Sequence, residues 1–194
     1  EAIVVPAFQR NAQQPCLTDE ECKQHFQNDP RFIPNDFTSL HSCIHEKECT
    51  VFQSQDNWEG HHSTRSQSWL AKDWYEKETV GDSDLHDIKQ IPCFDSLRYE
   101  PYVVIRWCPA EQTSPVVSAP FYHEKFHGYG KNKIQYIQHL RFMGYHFAVL
   151  PKGFIIHNPH PPSKTKEIWN DKEAHKLHME MDSLYPKFLN DLKS

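Results

Sequence analysis

Residues 99–107 read Tyr99-Glu100-Pro101-Tyr102-Val103-Val104-Ile105-Arg106-Trp107. From Tyr102 onward this is a β-branched and aromatic run, which fits a pleated surface and predicts a central strand. Glu100 stands at the mouth of that strand among apolar neighbours. A carboxylate placed there needs a partner or a chemical role, because burying an unpaired charge is costly. Downstream, Lys131 to Met143 carries Ile134, Ile137 and Leu140 at helical spacing, and Gly144 stops it as a residue free to adopt a left-handed conformation. Phe147 to Leu150 and Phe154 to His157 predict two short strands separated by Pro151 to Gly153. Lys166 to Leu184 puts Ile168, Trp169, Leu177, Met181 and Leu184 on one side of a tail helix that Pro186 is expected to break. Upstream, Ala2 to Phe8 reads as a buried strand ended by Pro6. Strands mixed with helices predict an α/β layer architecture.

The stretch from Gln9 to about Leu97 has a different texture, being polar, rich in Cys, Trp and His, and without a sustained period. Short helices at Asp19 to Phe26 and Ser68 to Glu76 are expected there, between long loops. A chain of 194 residues with 13% aromatic residues can bury one sizeable core, and 14 Pro against 6 Gly surround it with rigid irregular segments. The formal charge of -5, with Lys and Arg scattered singly among acidic residues, disfavours nucleic acid as a partner. No apolar run approaches the ~20 residues of a membrane-spanning helix. Glu1 is followed at once by strand-like residues, so an upstream segment is expected, and any membrane anchor would lie in it. The six Cys are an even number that fits an oxidising lumen. Cys16 with Cys22 and Cys43 with Cys49 can each staple a loop. Reduced thiols, or a zinc site built with His41 and His45, are equally compatible with the spacing.

Chemistry concentrates in Phe121 to Lys133. Gly128 and Gly130 flank Tyr129 just ahead of the predicted helix, in a chain otherwise frugal with glycine. A Gly-x-Gly turn at a helix N-terminus lets backbone approach an anion closely, and Lys133 adds positive charge. The alternative is a tight loop that simply needs positive φ. Glu124 precedes that turn and is a candidate general base, as is Glu100. His157 and His160 follow the last strand and are candidate metal ligands through neutral imidazole nitrogens. His61 and His62 lie after Gly60, with Ser63, Thr64 and Trp69 nearby. They can line a sugar site in which a Trp ring supplies a stacking plane.

Taken together, five blocks in order resemble glycosyltransferase family 49. They are Val5-Pro6-Ala7-Phe8; Gly60, His61, Thr64 and Trp69; Tyr99-Glu100-Pro101-Tyr102-Val103-Val104; Phe126, Gly128, Tyr129, Gly130, Asn132 and Lys133; and Val149-Leu150-Pro151 with Ile156, His157, Pro159, His160 and Ser163. The resemblance implies the C-terminal part of a GT-A fold, with a mixed sheet flanked by helices, and a single partial catalytic domain over residues 1–194. In that domain 1–8 is a strand, 9–97 a loop-rich insertion, 98–163 the core strands, turn and helix, and 164–194 the C-terminal helix. It further implies an inverting transferase that uses a UDP-sugar donor, with glucuronic acid or a related sugar, and a glycan or glycoprotein acceptor. Manganese and a Golgi-lumen type II membrane protein complete the picture. Carried onto this sequence, Gly128, Tyr129, Gly130, Asn132 and Lys133 would meet the donor. His157 would be a metal ligand, with His160 beside it, and Glu100 is similar to the family's strand-mouth carboxylate.

The departures are equally concrete. The family's Asp before the Gly-Tyr-Gly turn is replaced by His123 and Glu124, and the Glu after Pro-Ala-Phe by Gln9. Arg65 stands where the family has Asp or Asn. The Asp-x-Asp pair that would complete the metal site is expected upstream of Val5, in a segment that precedes these residues. The piece is therefore expected to be inactive alone. Two other readings stand beside the transferase: a catalytically inactive relative acting as a binding or folding partner, and a zinc-binding module built on Cys43, His45 and Cys49.

Overall fold

The computed structural model describes residues 1–11, 18–28, 33–71, 89–106, 119–127, 130–161, 163–171 and 175–193. Its architecture is α/β, as expected, with two mixed sheets flanked by helices. Strands β1 (Ala2–Val5) and β2 (Ala7–Arg10) are separated only by Pro6. The sequence predicted one strand ended by that proline; instead the chain bends there and crosses from one sheet to the other. Pro6 has no N–H for a ladder and a fixed φ, which suits a corner between sheets. Its carbonyl is still used, accepting from Ile155 N at 3.0 Å.

The four-stranded sheet has the order β4-β6-β1-β5, where β4 is Lys89–Ile91, β5 Tyr102–Ile105 and β6 Phe147–Val149. β1 runs parallel to β6 and antiparallel to β5, with Val4 opposite both Val149 and Val103. The three-stranded sheet has the order β3-β2-β7, with β3 at Cys49–Val51 and β7 at Ile155–His157. Here β2 is parallel to β7, and Gln9 lies opposite His157. Both central strands therefore carry parallel partners from the segment after residue 146, which fixes the end of β7 relative to the N-terminus. Trp107, predicted to close the strand at 102–107, lies outside the described residues.

The helices are α1 (Asp19–Asn28), α2 (Phe37–His45), α3 (Trp58–His61), α4 (Ser66–Ala71), α5 (Asn132–Phe142), α6 (Lys164–Asn170) and α7 (His175–Asp191), with a 3-10 turn at His62–Thr64. Helix α5 ends as predicted: Gly144 takes φ 84°, and the amides of Gly144 and Tyr145 donate to the carbonyls of Arg141 and Leu140. These two bonds satisfy carbonyls that a helix end leaves open. The predicted single tail helix is two, α6 and α7, and Pro186 does not break the second. A proline forfeits one helical hydrogen bond, but Met181, Tyr185 and Phe188 of α7 are buried against Phe126, and Tyr185 Oη donates to Leu97 O at 2.8 Å. Burying side chains of this size contributes roughly 1.5–3 kcal/mol each, enough to carry the helix through.

The stretch 9–97 is more than an insertion of loops. It supplies β3 and β4 to the sheets, and Leu40, Trp69 and Leu70 to a cluster with Phe8 and Val149. A second cluster joins Ala2, Val4, Tyr99, Ile137, Leu140 and Phe147. Cys43 and Cys49 form a disulfide with Cα atoms 5.2 Å apart, linking the end of α2 to β3. Cys22 is also disulfide-bonded, whereas Cys16, its predicted partner, lies outside the described residues. The Cys43–His45–Cys49 zinc module is thereby overturned, since both thiolates are consumed in a bond. Among the described residues no helix is long and apolar enough to cross a membrane.

Candidate functional site

Helix α3 starts at Asn57, whose side chain organises the mouth of β5. Asn57 Oδ1 accepts from Gly60 N at 3.3 Å, capping the helix, while Nδ2 donates to Glu100 Oε1 at 2.6 Å. Glu100 N in turn donates to Gly60 O at 2.9 Å. A Cβ at Gly60 would lie 2.5 Å from Asn57 Nδ2 and would shift the amide away from the carboxylate. Gln9 Oε1 accepts from Gln53 N at 2.9 Å and so fixes the turn that leads into α3.

Phe52, on that turn, gathers three rings. His61 lies at 4.9 Å between centroids, His157 at 4.8 Å and Tyr102 at 5.8 Å. Lys133, in the first turn of α5, places its Nζ 6.0 Å from the Tyr102 ring centroid. Its charge acts on His61, Glu100 and His157. Burial first, and then the Lys133 charge, lower His61 together to about 4. Burial also lowers His157, with His160 and Lys133 acting in the same direction. Burial raises Glu100, opposed by Lys133 and by the Asn57 hydrogen bond. Tyr102 is raised by burial and then by the Glu100 charge. The end of β7, the mouth of β5, α3 and the first turn of α5 therefore share one electrostatic environment. Beside it opens a cleft of about 480 Å³, lined in part by Lys23, Tyr102, His157, Asn158 and His160. Asn158 Oδ1 is buried there without a hydrogen-bond partner.

The structure brings Glu100, His61, Lys133 and His157 together. It does not bring Glu124 to them: that residue is exposed, in the turn closed by Phe126 N donating to His123 O at 2.9 Å, and the turn packs against α7 through Phe126. Trp69 is 4% exposed, its ring surrounded by Phe8, Phe37 and Phe154 and its Nε1 donating to Leu150 O at 2.9 Å. It is a core residue and offers no free face for stacking. Thr64 is also buried, sharing a 2.8 Å hydrogen bond with Tyr99 Oη. Gly128 and Tyr129 lie outside the described residues. Gly130 owes its small size to packing, because a Cβ would come within 3.1 Å of both Met181 Cβ and Trp169 Cζ3. Asn132 Oδ1 accepts from Lys133 N at 2.8 Å. Sequence reasoning missed Asn57 and Phe52; an Asn directly ahead of a short helical run is an N-cap signal that points to the first.

A divalent cation does not fit these residues alone. Among the described residues no group of three or more His, Cys, Asp or Glu side chains is arranged to hold a metal ion. The His157 and His160 rings are 5.1 Å apart, and His160 Nδ1 lies 2.7 Å from Pro161 O. His157 can offer one nitrogen, whereas manganese prefers several oxygen donors.

The family described as "Glycosyl-transferase for dystroglycan" matches residues 2–194. Similar curated proteins include glycosyltransferase-like protein LARGE of Caenorhabditis elegans, 34% identical over 96 residues, which is 50% of this chain and 12% of that protein. Xylosyl- and glucuronyltransferase LARGE1 of Homo sapiens is 40% identical over 65 residues, 34% of this chain and 7% of its own length. Xylosyl- and glucuronyltransferase LARGE2 of Mus musculus is 30% identical over 165 residues, 84% of this chain and 18% of its own length.

Proposed function

The chain belongs to the family of glycosyltransferases for dystroglycan, and we propose on that premise that the cluster of Glu100, Lys133, His61 and His157, with the cleft beside it, transfers a sugar from a UDP-sugar to a hydroxyl of a glycan or glycoprotein. The supporting observation is the convergence of Lys133 on Glu100, His61 and His157. In this reading the Glu100 carboxylate takes the proton of the acceptor hydroxyl as its oxygen bonds to the anomeric carbon from the face opposite the nucleotide. The bond from that carbon to the diphosphate breaks, UDP departs with the electron pair, and the configuration inverts. Lys133 holds positive charge where the diphosphate gains negative charge. Asn57 keeps Glu100 aimed and, with Lys133, counters the rise that burial imposes on it. Glu100 is preferred to Glu124 as the base because only Glu100 sits in this environment.

The donor sugar is proposed to be glucuronic acid or a related sugar, in line with the relatives' names. Manganese dependence is proposed only with carboxylates from outside the described residues joining His157. A secretory route ending in the Golgi lumen accords with the Cys43–Cys49 disulfide, which persists in oxidising compartments. The test is a UDP-sugar screen by product release on the full-length protein, with and without manganese, alongside His157→Ala and Lys133→Ala. Release by the wild type, falling about 100-fold or more in Lys133→Ala, is expected. Release from no UDP-sugar, or an unaffected Lys133→Ala, overturns the reading.

A further inference from the structure

Trp58 is 50% exposed at the start of α3, one residue after the Asn57 that holds Glu100. One face of its indole lies on the His62 ring, with centroids 4.3 Å apart and planes tilted by 32°. His62 is itself braced: Nδ1 is 2.8 Å from Asp95 Oδ2, and Arg65 NH1 lies 3.0 and 2.8 Å from its two ring nitrogens. Arg65 completes the frame with NH2 donating to Asp95 Oδ1 at 3.0 Å, and Ser63 Oγ accepts from Asp95 N at 2.8 Å. Arg65 holds a left-handed backbone, φ 56°, which a residue with a side chain adopts only where its surroundings enforce it. Glu59, the next residue of α3, accepts from Arg98 NH1 at 3.2 Å through Oε2 and from Ser96 Oγ at 3.2 Å through Oε1.

A large aromatic left half in solvent, yet fixed from beneath by an imidazole, an arginine and a carboxylate, is preorganised at little further entropy cost. A flat aromatic face held in solvent over a polar His62–Arg65–Asp95 brace matches the chemistry of a pyranose, whose axial C–H bonds form an apolar face. We infer that Trp58, braced by His62, is the platform on which a pyranose of the acceptor glycan stacks. This rests on the transferase reading, and it moves the stacking role expected of Trp69 to a different tryptophan. Trp58 follows Asn57, whose Nδ2 donates to Glu100 Oε1 at 2.6 Å, so the platform stands on the helix whose cap holds the carboxylate. Trp58 is thus a specificity residue for the acceptor and takes no part in the bond exchange.

The experiment compares wild type, Trp58→Ala and Trp58→Phe as full-length proteins. It measures acceptor KM and donor KM with p-nitrophenyl β-xyloside and β-glucuronide, and in parallel the quenching of tryptophan fluorescence by the same glycosides without donor. Trp58→Ala is expected to raise acceptor KM about five- to tenfold, leave donor KM unchanged and lose the quenching, while Trp58→Phe restores most of the affinity. Circular dichroism matching the wild type excludes misfolding. An acceptor KM within twofold of the wild type overturns the platform while leaving the transferase reading intact. If no sugar is transferred at all, the quenching arm decides: a wild type that neither glycoside quenches also overturns it.

Discussion

The cluster around Phe52 and the seam between α5 and α7 are both served by α5 and both bury polar groups, yet the groups they bury differ in kind. In the seam, Gln135 is fully buried with its Oε1 accepting from His123 N at 3.2 Å, and Gln135 Nε2 and His139 Nδ1 have no hydrogen-bond partner. Around them pack Phe126, Met181, Tyr185 and Phe188, and Lys131 is paired with Asp182 across the two helices. In the cluster, Lys133 acts on an acid and two imidazoles at once. The difference teaches that burial of polar atoms marks where a fold is held, whereas convergence of unlike titratable groups on one cation marks where charge can be moved.

The comparison breaks most visibly at Glu100. Glu100→Gln keeps shape and the Asn57 contact but removes the base, so the full-length protein should lose about 10²–10⁴ in kcat with little change in melting temperature. A melting change with normal kcat would reassign Glu100 to the fold. Met181→Ala in the seam should do the converse, costing about 2–5 kcal/mol in urea unfolding because Met181 is fully buried against Phe126 and Tyr185. Equal losses of activity and stability in both variants would erase the distinction.

The smallest effect sharpens the electrostatic side. His61 is held neutral by burial, with its folded value lowered from 6.5 to about 4. The unfolded chain takes up a proton below pH 6.5 that the folded chain refuses, so stability present above that value is lost as pH falls toward about 4. A loss of roughly 1–3 kcal/mol over that window is expected from this group, and His157 contributes in the same direction. His61→Phe, which preserves the ring contact with Phe52, should flatten the dependence; an unchanged slope would show that other groups carry it.

Much of the fold was legible along the chain. The strand at Tyr102, the helix after Lys131 with its Gly144 stop, and the strands at Phe147 and Ile155 all follow from local composition and periodicity. The sheet change at Pro6 and the passage of α7 through Pro186 were not, because both depend on what lies opposite: Ile155 takes the Pro6 carbonyl, and Phe126 buries α7. Of the site, Glu100, His61, Lys133 and His157 were each legible as separate candidates from residue type and motif, and only the fold gathers them around Phe52. That Trp69 is 4% exposed and Trp58 50% was not legible, since the two are equivalent as letters and differ only in what surrounds them.

The sequence by itself determined the family, the α/β class and the residue types able to do chemistry, because these are carried by ordered motifs and by short-range periodicity. Tertiary structure alone decided which of those residues come together, that Cys43 and Cys49 are bonded, and that Gly60 and Gly130 are small for opposite reasons. Gly60 makes room for an amide that aims a carboxylate, and Gly130 for a methionine in the core. The physical reason is that excluded volume, burial and Coulomb interaction depend on distances through space, which a linear order of residues does not contain.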